Sequence, residues 1–263
     1  AAVLLCGATA LQAQSWKPLE QKALQDEAYA RHDCVNLLDS TSVTVQPTGQ
    51  GSFAVCRAVK VQTPAGALRQ RVLKYDYDPL TAAARFHHAD GTKTEVDVTK
   101  TQDYAAPARA IYWGARQIMI ELGQLKPGDV IDYEIDKKGF TYALLADTPQ
   151  EDDDSRFIPP MRGQFYDIVP FWSSDPTVRK VYRVSLPADK DMQFQFYQGS
   201  CASSLRYEDG RKVSPFASDG LMPFRREPNM VDFYDAAPKL MMSTTADWRD
   251  KSRWFYGVNE DYG

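Results

Sequence analysis

His87 and His88 stand side by side, and imidazoles are the commonest ligands of a metal site. In an extended segment, neighbouring side chains point to opposite faces, so these two cannot share one ion. His32 and Cys34, two apart in "RHDC", would share a face if extended, as a thiol and its base must. A catalytic pair also needs direct hydrogen-bond contact and a third, orienting group, which the fold and not the local sequence normally supplies. Asp76 and Asp78 in "KYDYDP" have the spacing of one strand face, and a glycosidase works with two carboxylates. A retaining pair needs about 5 Å between carboxyls with the substrate bond held between them. Two neighbours on one strand do not provide this, so both read as strand-end and turn acids.

The acidic run Glu151 to Asp154 offers oxygens to a hard cation but lacks the alternating spacing and turn glycine of a calcium loop. It reads as a solvated loop. No P-loop, G-x-G-x-x-G, G-x-S-x-G, H-E-x-x-H or C-x-x-C occurs. The sequence therefore predicts no catalytic residue, no metal ligand and no cofactor on this chain.

Aromatic residues are the remaining candidates for recognition. "GQFYDIVPFW" gathers Phe165, Tyr166, Phe171 and Trp172 around Pro170, and "RAIYWGAR" adds Tyr112 and Trp113. Exposed aromatics bind glycans, peptides or partner domains. Core and interdomain packing is their commoner use.

The elements that would position these groups read as strands. "LLDSTSVTVQ" alternates through Thr41, Val43 and Val45, and "SFAVCRAVKVQ" places Phe53, Val55, Val59 and Val61 on one parity. "PTGQG" and "TPAGA" read as turns, Asp90-Gly91 and Asp209-Gly210 as hairpin turns, and Pro127-Gly128-Asp129 as the link between two strands. "VRKVYRVSLP" sets Tyr182, Val184 and Leu186 on one face, and "MQFQFYQG" does so with Met192, Phe194 and Phe196. The expected fold is mainly β: an antiparallel sandwich over 34–243, possible in two lobes with a boundary at 146–162. A polar helical lead-in precedes it at 15–33.

The 263 residues are 43% hydrophobic, enough for one large β domain or two smaller ones. The net charge of −4 comes with scattered Lys and Arg and no basic stripe, which argues against nucleic acid as a partner. No apolar run reaches the roughly 20 residues of a membrane-spanning helix. "AAVLLCGATALQAQS" reads as the apolar region and small-residue cleavage zone of a secretory signal, retained in part over 1–14. The expected location is periplasmic, cell-envelope or secreted. Cys34, Cys56 and Cys201 follow the leader, an odd number. If the strands holding Cys34 and Cys56 form a hairpin with pair sums near 98, Cys56 faces Ser42 and the two thiols lie roughly 26 Å apart, far outside disulfide reach. All three read as small buried hydrophobes.

The chain closes on "STTADWRDKSRWFYGVNEDYG", where Thr244 and Asp247 approximate a capping box. Trp248, Ser252 and Phe255 then share one helical face. Together with the strand–turn–strand opening "LLDSTSVTVQPTGQGSFAVCRAVKVQTPAGALRQRVLKYDYDP" and "LKPGDVIDYEID", this segment resembles DUF3857 from about residue 34 to the end. That family is the N-terminal β-sandwich module of exported bacterial transglutaminase-like proteins. The resemblance implies that the helix over 244–263 leads into a papain-related domain with a Cys-His-Asp triad. It implies that Trp248 and Phe255 pack between the two domains, and that this chain is the non-catalytic half. The expected function is a binding or scaffolding module that positions that enzyme on peptide or cell-envelope substrate; the alternative is a glycan-binding module that uses the aromatic cluster at 165–172.

Overall fold

A computed structural model describes residues 16–76, 81–98, 101–105, 116–140 and 163–262. The expected leader over 1–14, Tyr112, Trp113, Asp78, the acidic run 151–154 and the expected 146–162 boundary lie outside the described residues.

Two short helices come first, α1 (Lys17–Gln25) and α2 (Glu27–Ala30). The long strands β1 (Cys34–Val45) and β2 (Gly51–Val61) follow, then helix α3 (Pro64–Arg69). Next come β3 (Val72–Asp76), β4 (Thr81–His87), β5 (Lys93–Glu95), β6 (Thr101–Ala105), β7 (Arg116–Glu121) and β8 (Val130–Gly139). The second half holds β9 (Tyr166–Pro170), β10 (Thr177–Pro187), β11 (Gln193–Tyr197), β12 (Ala202–Ser203), β13 (Arg206–Glu208) and β14 (Arg211–Leu221). It ends with α4 (Phe233–Ala236), β15 (Lys239–Ser243) and α5 (Trp248–Tyr262).

Among the described residues these strands form three sheets. The largest runs β12-β14-β10-β1-β2-β8-β4-β5 with β13 also on β14; the others are β3-β7-β6 and β11-β15-β9. The mainly-β, antiparallel architecture with a C-terminal helix is present as read. One central pair departs from it, because β1 and β10 run parallel. Parallel neighbours need a long crossover, here everything between Val45 and Thr177, so no local turn signals the pairing.

Alternation along β2 explains how the layers stack. Phe53 belongs to a core with Val43, Val184, Phe216, Leu240 and Met242, which joins the large sheet to the β11-β15-β9 sheet. Val61 belongs to a second core with Phe86, Ile120 and Ile131, which joins it to β7 and α3. Residues of one parity share a face, so both small sheets cover the same side of the large one. Ala58, of the opposite parity, packs with Ala23, Tyr29 and Leu38 under the helices on the other side. The Lys60 ammonium pairs with Glu20 of α1 at 2.6 Å, so the lead-in is a packed layer of the fold.

Local chemistry corrects three sequence readings. "TPAGA" is helical: the Thr63 hydroxyl accepts from the Gly66 N–H, and Pro64 sits in the first turn. The link at Pro127-Gly128-Asp129 joins strands of different sheets, because its backbone bonds to β2: Gly128 N–H donates to the Val61 carbonyl and Val61 N–H to that of Asp129. In the β1–β2 hairpin Cys56 faces Ser40, with a bulge between Asn36 and Leu38 placing Cys34 opposite Val61. The two thiols are still about six residues apart along the strands, roughly 20 Å, and all three described cysteines are free.

Candidate functional site

Phe165 and Phe171 flank β9 and are 1% and 0% exposed. The Phe165 N–H donates to the Thr244 hydroxyl, and the Phe171 N–H donates to the Pro238 carbonyl, which pins both ends of β9 beside β15. Their rings fill the core between sheets, Phe171 lying edge-on to Phe196 with centroids 5.1 Å apart. These two residues therefore offer a ligand no exposed face. The expected four-residue aromatic surface reduces to Tyr166 and Trp172, both half-buried. The Lys251 ammonium lies 5.6 Å from the Tyr166 ring centroid, and Trp172 meets Phe233 edge-on at 4.7 Å. Phe233 in turn contacts Phe224 at 5.3 Å. The sequence spacing of Phe224 and Phe233 gave no hint that they would complete the cluster.

The histidines separate as the alternation argument predicts. His87 Nε2 lies 2.9 Å from Asp132, whereas His88 Nδ1 lies 3.2 Å from Asp129. Among the described residues, no three His, Cys, Asp or Glu side chains converge as metal ligands would. No thiol there has an imidazole partner. Cys34 is fully buried, and burial pushes its thiol up against the opposing pull of Arg69. Burial, reinforced by Glu134 and Asp136, pushes the Cys56 thiol up to about 11. Burial also raises Cys201. A protonated thiol is a poor nucleophile. From Cys56 to His87 the register spans four residues of β8, roughly 13 Å, too far for a catalytic pair.

One group of side chains escapes sequence reading. Asp39 on β1 pairs with both the Lys180 ammonium of β10 and the Arg57 guanidinium of β2, Arg57 Nε lying 3.1 Å away. Arg57 also donates to the Tyr133 hydroxyl at 3.4 Å. Lys180, Asp39, Arg57 and Tyr133 are direct cross-strand neighbours. The row therefore crosses the large sheet between its two cores, with Lys180 buried beside the Phe171 ring and Arg57 reaching solvent. Its charged members are paired with one another, and the row ties four neighbouring strands together across the sheet.

Helix α5 starts one turn later than the capping-box reading places it. Asp247 caps it by accepting the Asp250 N–H, while Thr244 is held by β9 through Phe165. Trp248 is 82% exposed, Phe255 is 48% exposed, and Ser252 between them is also exposed. The face defined by their spacing thus points into solvent. Lys251 ties this turn inward, its ammonium lying over both the Trp248 and Tyr166 rings. Among the described residues no helix is long and apolar enough to cross a membrane.

The model of DUF3857, described as a domain of unknown function with a solved structure, matches residues 47–224. No curated protein matches the chain. A crystal structure of a candidate protease from Parabacteroides distasonis is similar over 81% of this chain at 17% identity, with a TM-score of 0.61. That likeness shows a shared fold. The chain spans 41% of that protein's length. An M1 zinc metallopeptidase from Deinococcus radiodurans aligns over 81% of this chain and 43% of its own at 17% identity, with a TM-score of only 0.40. A mutant of that enzyme bound to a Tyr-Ser-Ala substrate gives 18% and 0.41, over the same shares of each chain.

Proposed function

The chain belongs to the DUF3857 family, and on that premise we propose that it is the non-catalytic scaffold of an exported transglutaminase-like protein. In this reading the sandwich positions a cysteine hydrolase or transamidase domain of the same polypeptide against peptide or cell-envelope substrate. The observation that carries it is the exposure of large aromatics on the capped helix α5, Trp248 at 82% and Phe255 at 48%. Large aromatics in one exposed stripe mark a surface that another domain covers. The apolar leader supports export. The candidate protease sharing this fold is about twice as long as this chain, as a protein combining such a module with an enzyme would be. A glycan ligand, the other reading of the 165–172 aromatics, rests on Tyr166 and Trp172.

The purified chain is expected to fold and to show no peptidase or transamidase turnover against peptide or glutamine-donor substrates. Thiol-dependent turnover lost in Cys34→Ala would overturn the scaffold reading. A second expectation concerns α5. Because Trp248 is exposed, Trp248→Ala in this chain shifts the urea unfolding free energy by less than about 0.5 kcal/mol. In a polypeptide that includes the enzyme domain the same change costs more, since there it removes a buried contact. Equal effects in the two contexts would remove α5 from the interface.

A further inference from the structure

Strand β11 is an open edge that lacks the usual protection. Among the described residues it ends the β11-β15-β9 sheet and pairs only with β15. Edge strands are normally blunted by charge, proline or bulges, because their unpaired N–H and C=O groups recruit other strands. The opposite edge, β9, carries Asp167 and Pro170, and β5 is only three residues long with a charge at each end. β11 reads Gln-Phe-Gln-Phe-Tyr and pairs with β15 without a register shift. No Asp, Glu, Lys or Arg occurs from Met192 to Leu205, in a chain where 25% of residues are charged and such a run would hold three or four. The Phe196 carbonyl takes a hydrogen bond from the neighbouring Gln195 side chain at 3.2 Å, a local substitute for a missing strand partner.

We propose that β11 pairs with β11 of a second copy of this chain, antiparallel about a two-fold axis through Gln195. The segment is nearly palindromic, and this selects a second copy over an unrelated strand. About that axis Phe194 faces Phe196 of the other copy, Gln193 faces Tyr197, and Gln195 faces its own equivalent. Phe194 and Phe196 share the side that carries Met242 and Leu240, so aromatic pairs with aromatic on the inner face, while on the outer face Gln195 meets its own equivalent between two Gln193–Tyr197 pairs. Each copy has a net charge of −4, which opposes contact through most faces, but this edge brings no like charges together.

Area supports the same assignment. Phe194 is 50% exposed, Tyr197 44%, Leu205 58% and Tyr207 69%, all within fourteen residues. β13, which carries Tyr207, and β11 both border β14: β13 pairs with it, and Phe194 meets Phe216 edge-on at 4.9 Å. Covering these four side chains on both copies removes on the order of 1,000 Å² from water, the size at which a specific interface begins.

Sedimentation velocity on the whole chain tests this directly. The wild type sediments at twice the chain mass. Gln195→Lys and Gln195→Glu each put like charges across the axis and weaken self-association roughly fivefold or more. An equimolar mixture of the two variants regains the dimer, because Lys then faces Glu, a recovery that a folding defect cannot imitate. Gln195 is exposed, so each variant alone keeps the wild-type melting curve at low concentration. A wild type that stays monomeric, or a dimer indifferent to both substitutions, overturns the proposal. So does a monomer whose β11 instead binds an added extended peptide.

Discussion

Phe171→Ala lowers the unfolding free energy by about 3–5 kcal/mol, the usual range for deleting a buried aromatic ring. The ring is fully buried, packs edge-on to Phe196 and carries the Lys180 ammonium 5.6 Å from its centroid. Its removal leaves a void between the large sheet and the β11-β15-β9 sheet, and it strips Lys180 of its apolar cover. Trp172→Ala, one residue on, touches a half-buried ring outside this core and costs far less. Urea unfolding of the two variants compares them directly. Equal midpoints would mean that Phe171 is not part of the core, and the whole 165–172 run would again be available to a ligand.

That contrast marks where sequence reasoning succeeds and where it stops. Composition and clustering pick out 165–172 correctly as an aromatic site. They cannot say that Phe165 and Phe171 turn inward while Tyr166 and Trp172 do not, since three of the four lie outside the strand itself. Parity within long strands is far more legible: Val43 and Val45, Phe53 and Val61, and Tyr182 through Leu186 all face the cores their alternation assigns. The same parity held a further signal. Asp39, Arg57 and Lys180 each put a charge on the apolar side of a strand. Three such exceptions on three strands mark charges that must meet, and they do, although β1 and β10 are 141 residues apart at that pair. The parallel pairing that unites them leaves no trace in any turn, because no turn makes it.

Asp39→Ala is the second change of large effect, expected to cost about 3–5 kcal/mol, because it leaves the buried Lys180 ammonium without its counter-charge. Arg57 contributes less, since its side chain can turn to solvent. Adding Lys180→Met to Asp39→Ala removes the stranded charge and restores most of the loss; equal stability of the single and double variants would show that Lys180 finds water without Asp39.

The pH dependence gives an independent check. Burial alone would raise the Asp39 carboxyl, but Arg57 and Lys180 outweigh it and hold the group below its ordinary range. Its contribution is therefore complete above the unfolded value of about 3.9 and disappears as pH falls through the lower folded value. Asp167 does the reverse. Burial raises its carboxyl despite the hydrogen bond from the Tyr182 hydroxyl. Its ionised form costs stability at neutral pH, and acidification through the raised folded value relieves that cost. Mild acidification thus favours the fold through Asp167 before stronger acid destroys it through Asp39. Asp167→Asn should flatten the first change while Asp39→Asn flattens the second, and a single variant that abolishes both would show that the two carboxyls titrate as one site.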